Sequence, residues 1–260
     1  MLPTLFHLGA LPVSSFWVMA LGGFFAAFLV VRSDLRRRGF GVDLAYDLTL
    51  HVYVGGWLGA RLFLIPSAWE LFTTDPIGFL LTASGWVWYG GLIGGTVAAW
   101  LLARRRGLPF LLFADVIAPG LALGQGIGRI GCQLAGDGDY GTPTDLPWAM
   151  SYPHGVVPTT ELVHPTPLYE AVACFAIFAY LWRRRLRNPP AGDAFGRYCI
   201  LAALLRFAVE FVRRNPAWLA GLTTAQWFSM GLVLAGVLLL RYGVKAAATE
   251  IPRQSRLLGC

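Results

Sequence analysis

Apolar positions along the chain gather into seven long runs separated by short polar stretches. The runs fall at 16–31, 47–66, 84–103, 110–127, 167–182, 196–212 and 223–241. Each approaches the roughly 20 mostly apolar residues that carry a helix across a bilayer. Some are short or contain charges, so the set is a stronger signal than any one run. The polar positions are patterned too. Arg32, Arg36, Arg37 and Arg38 follow the first run, Arg104, Arg105 and Arg106 the third, and Arg183, Arg184, Arg185 and Arg187 the fifth. Arg197 opens the sixth run, and Arg241, Lys245, Arg253 and Arg256 follow the seventh. Seven crossings put all of these on one side. The other side holds Arg129, Arg213 and Arg214 with Glu70, Asp75, Asp137, Asp139, Asp145 and Glu161.

Basic residues next to spans face the cytoplasm. The pattern therefore predicts an all-α, polytopic transmembrane helical bundle with its N-terminus outside and its C-terminus cytoplasmic. It is read as a single integral membrane domain over residues 1–260. The longest connection, 128–166, faces outward and is rich in glycine, proline and acidic residues. Long loops on a compact scaffold tend to be functional.

Composition strengthens the membrane reading. Of 260 residues, 56% are hydrophobic and 13% charged, against about 45–50% and about 25% in soluble domains. Ten tryptophans suit the headgroup boundary. The net charge of +7 raises nucleic acid as a partner, but the cations sit in clusters beside apolar runs, so nucleic acid is set aside. Cys132, Cys174, Cys199 and Cys260 show neither disulfide nor metal spacing, and no metal is expected. The first apolar run lacks a basic leader and a small-residue cleavage site, and is expected to be a retained span.

Charges inside the runs are the candidate chemistry. Arg61 and Arg206 lie within spans, Asp115, Glu170 and Glu210 in or at their ends, and Arg129 at the border of the fourth. An ionisable group at bilayer depth costs at least ~2.5–3.5 kcal/mol and marks a functional position by default. Arg206 and Glu210 are four apart on one helix face and can pair, as a register-fixing ion pair or as part of a site. Arg129 lies in Gly124-Gln125-Gly126-Ile127-Gly128-Arg129-Ile130-Gly131-Cys132. Held at headgroup level, its guanidinium either grips a lipid phosphate in bidentate fashion or snorkels to anchor a helix end. The glycines of Gly55-Gly56-Trp57-Leu58-Gly59-Ala60-Arg61 and Tyr89-Gly90-Gly91-Leu92-Ile93-Gly94-Gly95 are read as helix-packing positions. Tyr89 needs a hydrogen-bond partner if buried. His164 stands just before Pro165 and Pro167, at the outer end of the fifth run, where a histidine can shuttle protons or simply cap.

Four segments in this order resemble the prolipoprotein diacylglyceryl transferase family. They are Asp115-Val116-Ile117-Ala118-Pro119, Gly128-Arg129-Ile130-Gly131, His164-Pro165-Thr166-Pro167-Leu168-Tyr169-Glu170 and Arg206-Phe207-Ala208-Val209-Glu210-Phe211-Val212-Arg213. Gly59-Ala60-Arg61 and the Tyr89 segment belong to the same likeness, which runs from about residue 12 to 240. The resemblance implies a bacterial cytoplasmic (inner) membrane enzyme with phosphatidylglycerol and the lipobox cysteine of a preprolipoprotein signal peptide as its partners. The diacylglyceryl group would pass to the cysteine thiol as a thioether, releasing glycerol-1-phosphate, with no cofactor. It further implies that Arg129 and Arg206 hold the phosphate and leaving group, with His164 and Tyr89 as further catalytic candidates. Glu210 would orient Arg206, while Arg61, Asp115, Glu170, Gly128 and Gly131 complete the substrate-binding set.

The chain departs from the family pattern at three places. Tyr89 stands where many members have histidine, Phe16 falls near the position of an early histidine, and Cys132 replaces an asparagine that often follows the Gly-Arg motif. The group that takes the thiol proton is thus left open. The competing expectations are a lipid-handling transporter, whose paired broken helices in matching halves are not found, and a paralog with a changed acceptor. The terminal Leu257-Leu258-Gly259-Cys260 looks like a lipobox by chance, being on the cytoplasmic side of the expected topology.

Overall fold

The computed structural model describes residues 1–9, 11–81 and 88–242. Among these, seven helices have 18 residues or more: α1 (Ser15–Arg37), α2 (Val42–Leu62), α5 (Trp88–Arg106), α6 (Phe110–Ala135), α7 (Thr166–Arg184), α8 (Asp193–Glu210) and α9 (Thr224–Tyr242). Each coincides with one expected apolar run. Two short helices, α3 (Trp69–Thr74) and α4 (Pro76–Leu81), lie between α2 and α5. Lys245, Arg253, Arg256 and the terminal Cys260 lie outside the described residues.

The expectation of a purely helical chain needs one correction. Two antiparallel hairpins accompany the helices: β1 (Thr4–Leu8) with β2 (Leu11–Ser14), pairing Thr4 with Ser14 and His7 with Pro12, and β3 (Met150–Tyr152) with β4 (Thr159–Val163), pairing Tyr152 with Thr159. Short alternating segments between long apolar runs were submerged by the helical signal. A second correction concerns the long connection. It opens at residue 136, because α6 continues through Gly128–Cys132 to Ala135. Glycine disfavours helix by roughly 1 kcal/mol per residue, but here tertiary packing overrides it. Gly136 closes α6 in the left-handed region at φ +60° and donates its N–H to the Cys132 carbonyl at 2.9 Å.

α6 is the internal helix, lying against α1, α7, α8 and α5. Half of its most apolar window is buried, against 22% for α1 and 17% for α9. These are the three helices among the described residues that are long and apolar enough to cross a membrane. α2 with Asp43, Asp47 and Arg61, and α8 with Asp193, Arg197, Arg206 and Glu210, carry their charge within the helix. On α1, Trp17, Leu21, Phe25 and Leu29, four apart, form an outward apolar stripe more than 40% exposed throughout. A water-soluble monomer does not present such a face; a bilayer covers it.

Glycines set the closest approaches. A Cβ on Gly94 would strike the Gly55 carbonyl, and one on Gly59 would come within 2.8 Å of the Gly94 Cα, so α2 and α5 pack backbone to backbone. Gly23 and Gly124 do the same for α1 and α6, and Gly196 and Gly236 for α8 and α9. The packing role expected for the glycines of α2 and α5 is what they perform. The largest apolar cluster joins Leu35, Leu44, Leu48, Leu102, Phe113 and Val116 at one end of α1, α2, α5 and α6.

Candidate active site

At the other end of α6, glycines on two faces let neighbours close in. A Cβ at Gly126 would meet the Phe175 ring of α7 at 2.7 Å, and one at Gly131 would meet Met19 of α1 at 3.0 Å. Arg129 is thereby brought against α7, where its Nε lies 2.7 Å from the buried Glu170 Oε2. Gly131 acts in helix packing. Gly128 has open space where a side chain would stand, so the chain leaves room beside Arg129.

The loop after α6 supplies the second anion. Gly141 donates its N–H to the His164 carbonyl at 2.8 Å, and Thr142 donates to the Val212 carbonyl at 2.8 Å. A Cβ at Gly141 would collide with that Val212 carbonyl, so only glycine admits the approach. These bonds hold the loop against the segment leaving α8 and place Asp139 between two cations. Arg129 and Arg213 both donate to its carboxylate, and Thr166 donates its hydroxyl to its carbonyl. Arg213 Nη1 also lies 3.6 Å from Glu170 Oε2. Two arginines and two carboxylates, drawn from α6, α7, the loop and the end of α8, thus form one partly buried network around the buried Glu170. Burial pushes the Asp139 carboxyl up, but the charges and hydrogen bonds of Arg129 and Arg213 outweigh it and hold it below the ordinary carboxylate range.

Arg206 and Glu210 pair across one turn of α8. Glu210 also accepts from the Thr223 hydroxyl at 2.7 Å and the Asn215 amide at 2.9 Å. This leaves the Arg206 guanidinium at the mouth of a cavity of about 390 Å³ lined by Asn215, Trp218 and Thr224 among others. Arg206 is close enough to Glu170 to act on its charge, as Arg129 and Arg213 do. Glu170 Oε2, Arg213 Nη1, Arg206 Nη1 and Glu210 Oε2 are buried and meet others through ion pairs without hydrogen-bond geometry. Buried polar atoms left short of hydrogen bonds are unusual and call for an explanation; a polar ligand arriving here supplies one.

The remaining expected residues are dispersed. His164 turns its ring to Tyr169, whose hydroxyl lies 3.3 Å from Nδ1 and accepts from the Trp148 indole at 2.7 Å. Asp115 sits fourteen positions before Arg129 on α6, about 21 Å away along the axis at 1.5 Å per residue. Its carboxylate accepts the Gly192 and Phe195 N–H groups at 2.7 and 2.9 Å, capping α8 from another helix. Arg61 is buried on α2 with its guanidinium 5.8 Å from the Phe79 ring centre. Tyr89 lies in the first turn of α5, and its side chain is outside the described residues.

The sequence reading gives no site role to Asp139, Arg213 or Arg214; Arg213 figures there on the charge map and as the last residue of a family-like segment, the other two on the charge map. Arg214 donates to the Gly141 carbonyl at 2.9 Å and to Glu161 at 2.8 Å, pinning the loop. The signal that could have found them is local: two adjacent arginines just past the sixth run, facing an acidic connection that contains Asp139. The donor atoms of Cys132, Asp137 and Asp139 lie within 4.8 Å of one another. Because Arg129 and Arg213 already engage Asp139, that trio is a poor place for a cation.

A helical membrane protein that converges three arginines on buried carboxylates at one end of its bundle is built to receive an anionic group beside a lipid phase. Comparison with known proteins narrows this class. The family model for prolipoprotein diacylglyceryl transferase matches residues 3–242. The phosphatidylglycerol–prolipoprotein diacylglyceryl transferase of Clostridium tetani is 31% identical over 240 residues, covering 91% of this chain and 96% of that protein. The proteins of the same name from Chromohalobacter salexigens and Geobacter sulfurreducens are 37% and 36% identical, over 89% and 90% of this chain and 86% and 89% of theirs. The chain belongs to the prolipoprotein diacylglyceryl transferase family.

Proposed function

We propose that this chain transfers the diacylglyceryl group of phosphatidylglycerol to the lipobox cysteine of a preprolipoprotein, releasing glycerol-1-phosphate. The observation that carries the reading is the convergence of Arg129, Arg206 and Arg213 around Glu170, Asp139 and Glu210. In the reaction a thiolate attacks an unactivated glycerol carbon and a phosphate ester departs. Charge develops on the phosphate oxygens, and preorganised cations in a water-poor site stabilise it far better than water does. Arg129 and Arg206 receive the phosphate. Glu210 orients Arg206, while Glu170 and Asp139 orient Arg129. Arg213 balances the two carboxylates, and the open space beside Gly128 admits the lipid glycerol. His164 serves the rim through Tyr169, and Arg61 supports the α2–α4 side.

The whole chain is read as one membrane domain with seven spans in the bacterial inner membrane, the N-terminus outside. The ion pairs Arg106–Asp47 and Arg185–Asp34 and the Arg37–Asn188 hydrogen bond gather the helix ends that carry the basic clusters, which supports a cytoplasmic face opposite the site. The test is purified protein in detergent with phosphatidylglycerol and a lipobox peptide, following glycerol phosphate. Release that requires the peptide cysteine supports the transferase. Absence of release beside an active relative in the same assay overturns it.

A further inference from the structure

We propose that Asp137 is the general base that takes the proton from the acceptor thiol, an inference that rests on the transferase reading. The nucleophile in such a transfer is the thiolate, so a group beside the arginines must accept a proton. The site's other carboxylates are committed. Glu170 and Asp139 each face two arginines, and Glu210 is held by Arg206, Thr223 and Asn215. A carboxylate in an ion pair is a weak base. Asp137, by contrast, has no arginine ion pair among the described residues, although its oxygens lie within 4.8 Å of those of Asp139, which Arg129 holds.

Its surroundings suit a proton acceptor. The left-handed turn at Gly136, which ends α6, presents Asp137 to the loop interior, half-buried. Oδ1 accepts the Asp139 N–H at 3.2 Å, fixing the side chain while leaving further lone pairs. Cys132 Sγ sits against this carboxylate and 3.9 Å from Arg129 Nη1. That place is filled by the Cys132 thiol itself, so the acceptor thiol approaches the Asp137 lone pairs that Cys132 and the Asp139 N–H leave free. The charged and titratable groups facing it are Cys132 and Arg129 of α6, Asp139 of its own loop and Tyr152 of β3. Burial, and then the Asp139 charge, raise the Asp137 carboxyl above the ordinary aspartate range, against the Cys132 hydrogen bond and the Arg129 charge. A raised carboxyl is the stronger base.

In the step itself, the proton passes from the peptide thiol to Asp137. The sulfur electron pair forms the S–C bond to glycerol, and the C–O bond to the phosphate breaks with its electron pair left on the departing oxygen, where the arginines hold it. Asp137 returns its proton to water when product leaves. No oxidant or further reactant is needed.

The experiment compares a cysteine lipobox peptide with its selenocysteine analogue, whose selenol is already ionised at neutral pH. On the full-length protein, Asp137→Asn should lower glycerol phosphate release with the cysteine peptide by ~100-fold or more and leave the selenocysteine rate little changed. In the unmodified protein, the cysteine rate should fall as pH drops through the carboxylate while the selenocysteine rate falls less. Equal losses with both peptides in the variant, or identical acid limbs in the unmodified protein, overturn the proposal. Because thiol ionisation alone also gives the cysteine peptide the steeper acid limb, a second variant completes the test: Asp137→Glu keeps a carboxylate and should retain most of the cysteine rate, and loss of that rate in folded Asp137→Glu overturns the proposal. Should the unmodified protein release nothing with either peptide, the transferase reading itself fails, a result distinct from loss of the base alone.

Discussion

The two ends of the bundle both carry arginine–carboxylate networks, and they are put together differently. At the basic end, Asp34 is met by Arg37 and Arg38, three and four residues on, and by Arg185. Asp193 is met by Arg184 and by Arg197 four residues on, and Asp115 caps α8. Most of these partners are neighbours on one helix or at a helix end, and each carboxylate is saturated. At the site end, Arg129, Arg213, Asp139 and Glu170 come from four separate elements, and several of their buried polar atoms lack hydrogen bonds. Saturated clamps hold helix ends together. The site end is a convergence of charge from separate elements, where Glu170 Oε2 and Arg213 Nη1 are held by ion pairs rather than by hydrogen bonds.

The sharpest way to break this contrast is Arg129→Ala. Losing one preorganised donor from a developing oxyanion costs roughly 10²–10³ in rate, so glycerol phosphate release per folded molecule should nearly vanish, and the melting temperature should fall too because the buried Glu170 loses its nearest cation. Asp115→Ala should spare the rate. It strips the cap from α8 and leaves two N–H groups without their acceptor, costing about 1–2 kcal/mol of stability. Thermal unfolding in detergent should show the loss, with turnover per folded molecule retained; a loss of turnover matching Arg129→Ala would place Asp115 in the chemistry after all.

A smaller effect separates Asp139 by pH. Its folded-state carboxyl is held below the ordinary range, so its stabilisation is complete above the unfolded aspartate pKa of about 3.9. That stabilisation is lost as pH falls through the lowered folded value. The margin by which the unmodified protein outmelts Asp139→Asn should therefore be constant near neutrality and shrink only under strong acid. A margin that shrinks already between pH 7 and 5 would mean that Asp139 is not held by the two arginines. The smallest effect is expected for Arg197→Ala at the basic end. Its own guanidinium is partly exposed, and the buried Asp193 keeps Arg184 as a second partner, so the loss should stay near the ~0–1 kcal/mol of a surface pair.

Much of this protein was legible in one dimension. The seven apolar runs coincide with the seven long helices because apolar length and helical spacing are local properties. Arg206 with Glu210 was legible for the same reason, since a four-residue step puts both on one face. The glycines of α2 and α5 were read as packing residues and serve as such. The partners of Asp115 were not legible in the sequence. A charge in an apolar run signals a task, and only the fold reveals that the task is to cap a helix 77 positions onward.

What the sequence by itself determined, then, is the set of long helices, the apolar faces that need lipid and the family to which the chain belongs. The tertiary structure decided which charges meet. It carried α6 through its glycines to Ala135, because α1 and α7 pack against that stretch and outweigh glycine's poor helix propensity. It folded the loop after α6 back so that Asp139 reaches Arg129 and Arg213, and it left Asp137 beside them with no arginine ion pair among the described residues. Those pairings depend on distances between elements far apart in the chain, which backbone bonds such as Gly141 to His164 and Thr142 to Val212 set, and no local spacing encodes them.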